Sequence, residues 1–251
     1  MSCNYFILTK PDTKQVNDNS SNQILYLNNL NHYILPQSNI EYYMKYGLFE
    51  ANLIEWSSQF CSKDKVMLDI GAHSGTYSIA LSNKCKSVYS FEPQKMTYYA
   101  LCGSVALSSI RNINCINYGL GSPEQVGSKD LYIVSNDGGG STVVLDTNDN
   151  SKSILATETI EIRTLDSFNI DNIGFIKMDV EENELNVLMG ALDTLKKSNY
   201  PRILFEANNN ISNSISNSNI DSKAELFNFL RDLSYNIVTI SGVSNMFLAS
   251  Q

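Results

Sequence analysis

Short apolar runs closed by a turn residue alternate with stretches of helical apolar spacing along most of the chain. "KVMLDIG" (65–71) reads as a buried strand and "GTYSIALSN" (75–83) as a helix. "SVYSFEP" (87–93) reads as a second strand stopped by Pro93, "KMTYYALCGSVALSS" (95–109) as a second helix, and "NINCINYGLG" (112–121) as a third strand. Strands and helices at this spacing predict a parallel sheet with right-handed crossovers. Residues 122–163 break the rhythm: "KDLYIVS", "STVVLD" and "TIEIRTL" are three β-rich runs around "DGGGS". The α/β pattern then returns with a strand at "GFIKMD", a helix over 183–195, a strand at "RILFEAN" and a helix over 223–233. "YNIVTIS" and "NMFLAS" predict a closing antiparallel hairpin.

The ends are less patterned. Residues 1–38 predict a small cap or hairpin, and residues 49–60 an amphipathic helix; the Asn-rich run 208–219 reads as a loop. The whole predicts an α/β fold: a doubly wound, Rossmann-like sheet of about seven strands, mostly parallel, with an antiparallel C-terminal strand. A cap over residues 1–45 and one domain over 46–251 follow.

Composition narrows the function. The chain has 251 residues, 43% of them hydrophobic, and a net charge of -8. That length suits one large domain. The acidic balance argues against general nucleic-acid binding and against adsorption to an anionic membrane, and favours a small-molecule substrate. Five cysteines with no C-x-x-C spacing suggest neither a disulfide framework nor a thiolate zinc site. With no apolar run of signal or membrane length, a cytoplasmic location is expected.

The chemistry starts at the first turn, "DIGAHSGT" (69–76). Gly71 and Gly75 permit a tight turn and a close backbone approach. The G-x-G-x-x-G spacing of a pyrophosphate cradle is absent, and Asp69 would repel a pyrophosphate while attracting an ammonium or sulfonium. Glu92, at the end of the second strand, stands where an acid accepts hydrogen bonds from ribose hydroxyls. S-adenosylmethionine carries all of these groups.

The ordered segments "YGLFEANLIEW", "VMLDIGAHSGTYSIALS", "VYSFEP", "NYGLGS", "GGGSTV", "TLDSF", "IKMDVEENELNVLMGA" and "ILFEAN" resemble the FkbM family of class I S-adenosylmethionine-dependent methyltransferases. The resemblance runs from about residue 43 to 208. It implies O-methylation of a hydroxyl on a sugar, glycan precursor or other small metabolite. Carried over, it implies that Asp69, Gly71, His73 and Gly75 hold the methionine end of the cofactor, with Ala72 and Thr76 in the same turn. Glu92, beside Pro93, would hold the ribose, and Tyr118, Gly119 and Leu120 would lie by the adenine. Ser141, after the glycines 138–140, and Asp179 complete the implied cofactor surface. His73 is expected to contribute its backbone more than its ring. The family commonly has Gly where this chain has Glu182.

A sugar hydroxyl needs a general base or a metal to become a nucleophile. Asp179, Glu181 and Glu206 are the candidate catalytic acids. Asp179 and Glu206 end strands four and five, where charge needs a partner. They could bind Mg²⁺ through oxygen ligands or act as base and orienter. Glu182 and Glu184 read as a helix start stabilised by its dipole. Two other functions fit parts of the pattern. Lys177 with Asp179 suggests methylation of an RNA ribose 2′-hydroxyl, and Glu182 suggests a degenerate, non-enzymatic cofactor-binding module.

Overall fold

The computed structural model describes residues 5–8, 31–143, 153–207 and 222–251. The Asn-rich run 208–219 and the second half of "STVVLD" (144–146) lie outside them.

At the N-terminus, β1 (Tyr5–Leu8) pairs antiparallel with β2 (Tyr33–Pro36), the hairpin-like pairing expected there. β2 is fixed to the rest of the protein by serines: the Ile34 N–H donates to Ser104 Oγ at 2.8 Å and the His32 N–H to Ser108 Oγ at 2.8 Å. Two short helices follow, α1 (Ile40–Tyr46) and α2 (Ala51–Ser57). A 3₁₀ turn at Ser58–Phe60 completes the helix predicted over 49–60.

The α/β body then alternates β3 (Val66–Ile70), α3 (Thr76–Leu81), β4 (Ser87–Phe91), α4 (Lys95–Leu107) and β5 (Ile113–Ile116). The third apolar run does not stay in one strand. After β5 the chain peels away, and β6 (Gly119–Leu120) joins β7 (Gly127–Ile133) and β8 (Ala156–Arg163) in a separate sheet of order β6-β8-β7. This sheet is the predicted β-rich excursion. Of "STVVLD", Thr142 makes only an isolated bridge to Tyr132.

Next come β9 (Ile173–Met178), α5 (Glu184–Met189), α6 (Leu192–Lys197) and β10 (Arg202–Glu206), then α7 (Ser222–Asp232), β11 (Asn236–Thr239) and β12 (Met246–Ser250). The helix predicted over 183–195 is thus two helices. The break falls at Gly190, where a Cβ would stand 2.1 Å from the Gly121 carbonyl oxygen. Close approach of another backbone selected glycine there, and glycine weakens the helix.

The seven-stranded sheet has the order β11-β12-β10-β9-β3-β4-β5. β9, β10, β3, β4 and β5 pair in parallel, while β12 runs antiparallel to both β10 and β11. β3 and β9 are buried almost throughout, as parallel strands covered on both faces must be. From β3 the chain moves outward through β4 and β5, then returns to the other side of β3 as β9. The order reverses between β3 and β9, and in open parallel sheets the ligand crevice lies beyond the strand ends at that switch point. Gly71 and Asp179 follow those two strand ends.

Candidate active site

Gly71 opens the turn at φ 74°, His73 sits at φ 50° and Gly75 at φ 83°. A Cβ on Gly71 would stand 1.8 Å from the Asp179 carbonyl oxygen, so only glycine fits between the two strand ends. The turn is tied to its neighbour by the Gly71 and Ala72 N–H groups, which donate to the Phe91 carbonyl at 3.0 and 2.9 Å.

Asp69 points away from the cleft. It is fully buried, and its Oδ2 accepts the Ser78 N–H at 3.0 Å and the Ser78 hydroxyl at 2.5 Å. Its Oδ1 is buried with no hydrogen-bond partner among the described residues. Burial pushes the Asp69 carboxyl up, and the Lys177 ammonium opposes that shift. Asp69 therefore braces the turn against α3.

Glu92 is buried with both oxygens in use: Oε2 accepts the His73 N–H at 2.8 Å and Oε1 the Gln94 N–H at 2.9 Å. Burial raises its carboxyl to about 7, against the two backbone donors. Two oxygens already oriented by backbone donors leave lone pairs for a pair of hydroxyls.

The His73 ring does more than expected. Its Nε2 lies 2.7 Å from the Asp137 carbonyl oxygen, which can only accept, so Nε2 carries the hydrogen. Nδ1 then accepts from Ser74 Oγ at 3.2 Å. Burial lowers the pKa of this histidine, which keeps it neutral. The ring thereby ties the first turn to the loop 135–141. The Asp137 carboxylate accepts Ser135 Oγ and Asn39 Nδ2, both at 2.5 Å, and the Gly139 N–H at 3.1 Å. Ser141 Oγ reaches Gln94 Oε1 at 3.4 Å and donates to the Gly138 carbonyl at 2.7 Å.

On the opposite side, Asp179, Glu181 and Glu206 bring carboxylate oxygens within 4.8 Å of one another. Burial first, then Asp179 and Glu181, raise Glu206 to about 8. Glu206 therefore holds its proton near neutral pH, beside Asp179. The buried Lys177 Nζ lies 3.4 Å from Asp179 Oδ2 and 3.3 Å from the Gly71 carbonyl. Burial works against its charge, but Asp179, Asp69 and Glu50 outweigh it and raise the pKa. Glu184 stands in the first turn of α5, the helix start expected of it. It is buried, its Oε1 accepts the Val180 N–H at 3.2 Å, and burial raises it to about 7.

These groups surround one cavity of about 390 Å³. Gly71, Ala72, His73, Thr76, Glu92, Pro93, Tyr118, Gly119, Leu120, Ser141, Asp179 and Glu181 line it. Asp69 and Gly75 stand behind that wall, and Glu206 reaches it only through its contact with Asp179 and Glu181. Sequence reasoning missed the wall formed by Asn39, Tyr43, Phe49 and Glu50, together with Tyr77, Gln94 and Asp137. Phe49 and Glu50 stand within "YGLFEANLIEW", but no local pattern marks them as cleft residues. Glu50 caps α2 from a left-handed conformation at φ 56°.

A sequence profile of the Methyltransferase FkbM domain matches residues 69–237, most of the chain. The protein belongs to the FkbM methyltransferase family. The matched span begins at Asp69 and takes in the first turn, Glu92, the loop 135–141 and all three clustered acids, whereas Asn39, Tyr43, Phe49 and Glu50 precede it. No curated protein matches the chain. Among solved structures, it is similar to the methyltransferase FkbM from Methylobacillus flagellatus KT, with 19% identity, a TM-score of 0.47, and 75% of this chain covered. The chain spans 44% of that protein's length. It is also similar to the precorrin-6y C5,15-methyltransferase from Geobacter metallireducens GS-15 (12%, TM-score 0.48, 81% of this chain and 90% of that one). A Streptococcus mutans methyltransferase solved in complex with SAH is similar at 13% identity and TM-score 0.47, over 79% of this chain and 93% of that one.

Proposed function

We propose that this FkbM methyltransferase uses S-adenosylmethionine to methylate a hydroxyl of a sugar, glycan precursor or similar small metabolite. The carrying observation is the cavity in which a Glu92 carboxylate oriented by two backbone donors stands beside a turn that admits only glycine at position 71. Glu92 would hold the ribose hydroxyls, and Gly71, Ala72 and Thr76 the methionine end. Tyr118, whose ring packs under Arg163 at 4.1 Å, would face the adenine with Gly119 and Leu120. When bound, the cofactor supplies an electrophilic methyl group on a sulfonium centre.

The chain's own residues supply orientation and a proton acceptor. With Glu206 ionised beside it, Asp179, which lines the cavity, takes the proton of the acceptor hydroxyl as its oxygen attacks. The Lys177 ammonium pairs with Asp179 and holds it in place. Lys177 and Asp179 also suit an RNA ribose acceptor, but the carboxylate-rich cavity favours the small-molecule reading. The same three acids have the oxygen chemistry of a Mg²⁺ site. Full activity after EDTA treatment would leave the proton role alone.

Calorimetry with S-adenosylhomocysteine tests the cofactor reading. Wild-type protein should bind, and Glu92→Gln should weaken binding about tenfold, the worth of a charge-assisted hydrogen bond. Absence of wild-type binding would refute it.

A further inference from the structure

The cavity has two walls of different origin. One is the first turn, Glu92 and the residues by Tyr118, all within the span common to FkbM methyltransferases. The other is Asn39, Tyr43, Phe49 and Glu50, which lie before that span and come from the residue preceding α1, from α1 itself and from its connection to α2.

This second wall is aromatic. Phe49 stacks on Tyr42 with ring centroids 4.0 Å apart and 18° between planes, and meets Tyr43 edge-on at 5.0 Å. Phe49 and Tyr42 remain 38% and 37% exposed, so the stack is not absorbed into the core. Next to it, Glu50 Oε2 accepts the Tyr77 hydroxyl at 2.8 Å. That bond fixes the carboxylate and leaves Oε1 to accept from a ligand hydroxyl.

The charge of the cavity restricts what can reach this wall. Five carboxylates line it, those of Glu50, Glu92, Asp137, Asp179 and Glu181. Among the described residues the lining holds one lysine, Lys177, which is buried and paired to Asp179. His73 is neutral and committed to the Asp137 carbonyl. No arginine lines the cavity among the described residues. A phosphate entering it would meet like charge in a site whose described lining offers no uncommitted cation.

We infer that the acceptor is a phosphate-free hydroxylated ring, with an apolar face packed on Phe49 and a hydroxyl donating to Glu50. Nucleotide-sugars, sugar phosphates and RNA are excluded as acceptors. The inference rests on the cofactor reading above and goes further, because it sets the acceptor class and the residues that select it. Phe49 and Glu50 are its specificity-determining residues. Glu50 accepts hydroxyls, and Phe49 supplies the platform on which the C–H face of a ring packs.

The test offers the enzyme, saturated with S-adenosylmethionine, matched acceptors: free monosaccharides, amino sugars and cyclitols, their phosphate monoesters, the corresponding nucleotide-sugars, and a short RNA. Mass gain of one methyl is the readout. Methylation should be confined to phosphate-free members. Phe49→Ala should raise the KM of the accepted compound about tenfold and Phe49→Tyr should restore it, with S-adenosylhomocysteine affinity changed less than about twofold in both. Three results would overturn the inference: a phosphorylated member accepted better than its phosphate-free parent, an unchanged KM in Phe49→Ala, or refusal of every phosphate-free member by protein that binds S-adenosylhomocysteine. Failure of the wild type to bind S-adenosylhomocysteine is a separate result that removes the cofactor reading and this one with it.

Discussion

His73 and Glu182 both adopt left-handed backbone without being glycine, for opposite reasons. His73 at φ 50° is held there by hydrogen bonds from both its backbone and its ring. Glu182, at φ 77°, stands where the resemblance to the family implies glycine. A side chain in this conformation costs about 1–2 kcal/mol, and glycine gives back roughly 0.5–1 kcal/mol of that through the entropy of the unfolded chain. Glu182→Gly should therefore raise the melting temperature by about 2 °C, measured by calorimetry or circular dichroism. A fall would mean that the contacts of the Glu182 side chain outweigh the backbone strain. Gly71→Ala should act in the other direction. Its Cβ would meet a backbone oxygen, which cannot swing aside, and the φ is unfavourable as well. A loss of more than about 3 kcal/mol, together with loss of S-adenosylhomocysteine binding, is expected. The need for Gly71 was legible in the sequence, because a glycine directly after a buried strand marks a backbone that must turn sharply or approach another closely. The direction of Asp69 was not. A carboxylate one residue before the turn can face the cleft or the underlying helix, and strand alternation with Ser78 on α3 decides for the helix.

At the level of elements, hydrophobic runs predicted most of the α/β body because each buried strand needs a continuous apolar stretch. Predictions broke where two backbones meet, as at Gly190, or where one run serves two sheets, as at β5 and β6. The loop 135–141 shows the same limit. Its glycines marked a turn, but its position over the first turn depends on hydrogen bonds with distant residues: the His73 ring and Asn39, which donate to it, and Gln94, which accepts from Ser141. Removing one of these should loosen the loop without unfolding the protein. His73→Ala keeps the backbone N–H that donates to Glu92 but loses the bond to the Asp137 carbonyl. A neutral hydrogen bond contributes about 1 kcal/mol, so S-adenosylhomocysteine affinity should fall about fivefold. Amide exchange in residues 135–141 should accelerate while that of β3 and β9 stays unchanged. Equal acceleration throughout would mean that the histidine supports the whole fold rather than the loop.

Across the whole molecule, the acidic composition pointed to a small-molecule enzyme, but it could not reveal that much of the charge is gathered in one cleft and partly neutralised by protons. Glu92 and Glu184 are raised to about 7 and Glu206 to about 8, each chiefly by burial. A carboxyl whose folded pKa lies above its unfolded value stabilises the fold fully below the unfolded value. That contribution is lost as pH rises through the folded one. His73 works the other way, since its depressed pKa makes its contribution complete above its ordinary value of 6.5. Lys177, raised by its acidic neighbours, contributes a constant amount at these pH values. Between pH 6.5 and 8 these three acids lose their contribution, and the ligand-free protein should lose a few degrees of melting temperature over that range. Cofactor binding should have the opposite slope, because ribose hydroxyls donate to ionised Glu92. The stabilisation produced by saturating S-adenosylhomocysteine should therefore grow from pH 6.5 to 8. The methyl-transfer rate should rise over the same range, with an apparent pKa near 8 that belongs to Glu206. Glu206→Gln separates the two effects. It should abolish the rise in rate and the part of the stability loss near pH 8, while the growth in ligand stabilisation, which depends on Glu92, persists. A rate profile in Glu206→Gln that still rises through pH 8 would place the base elsewhere in the cleft.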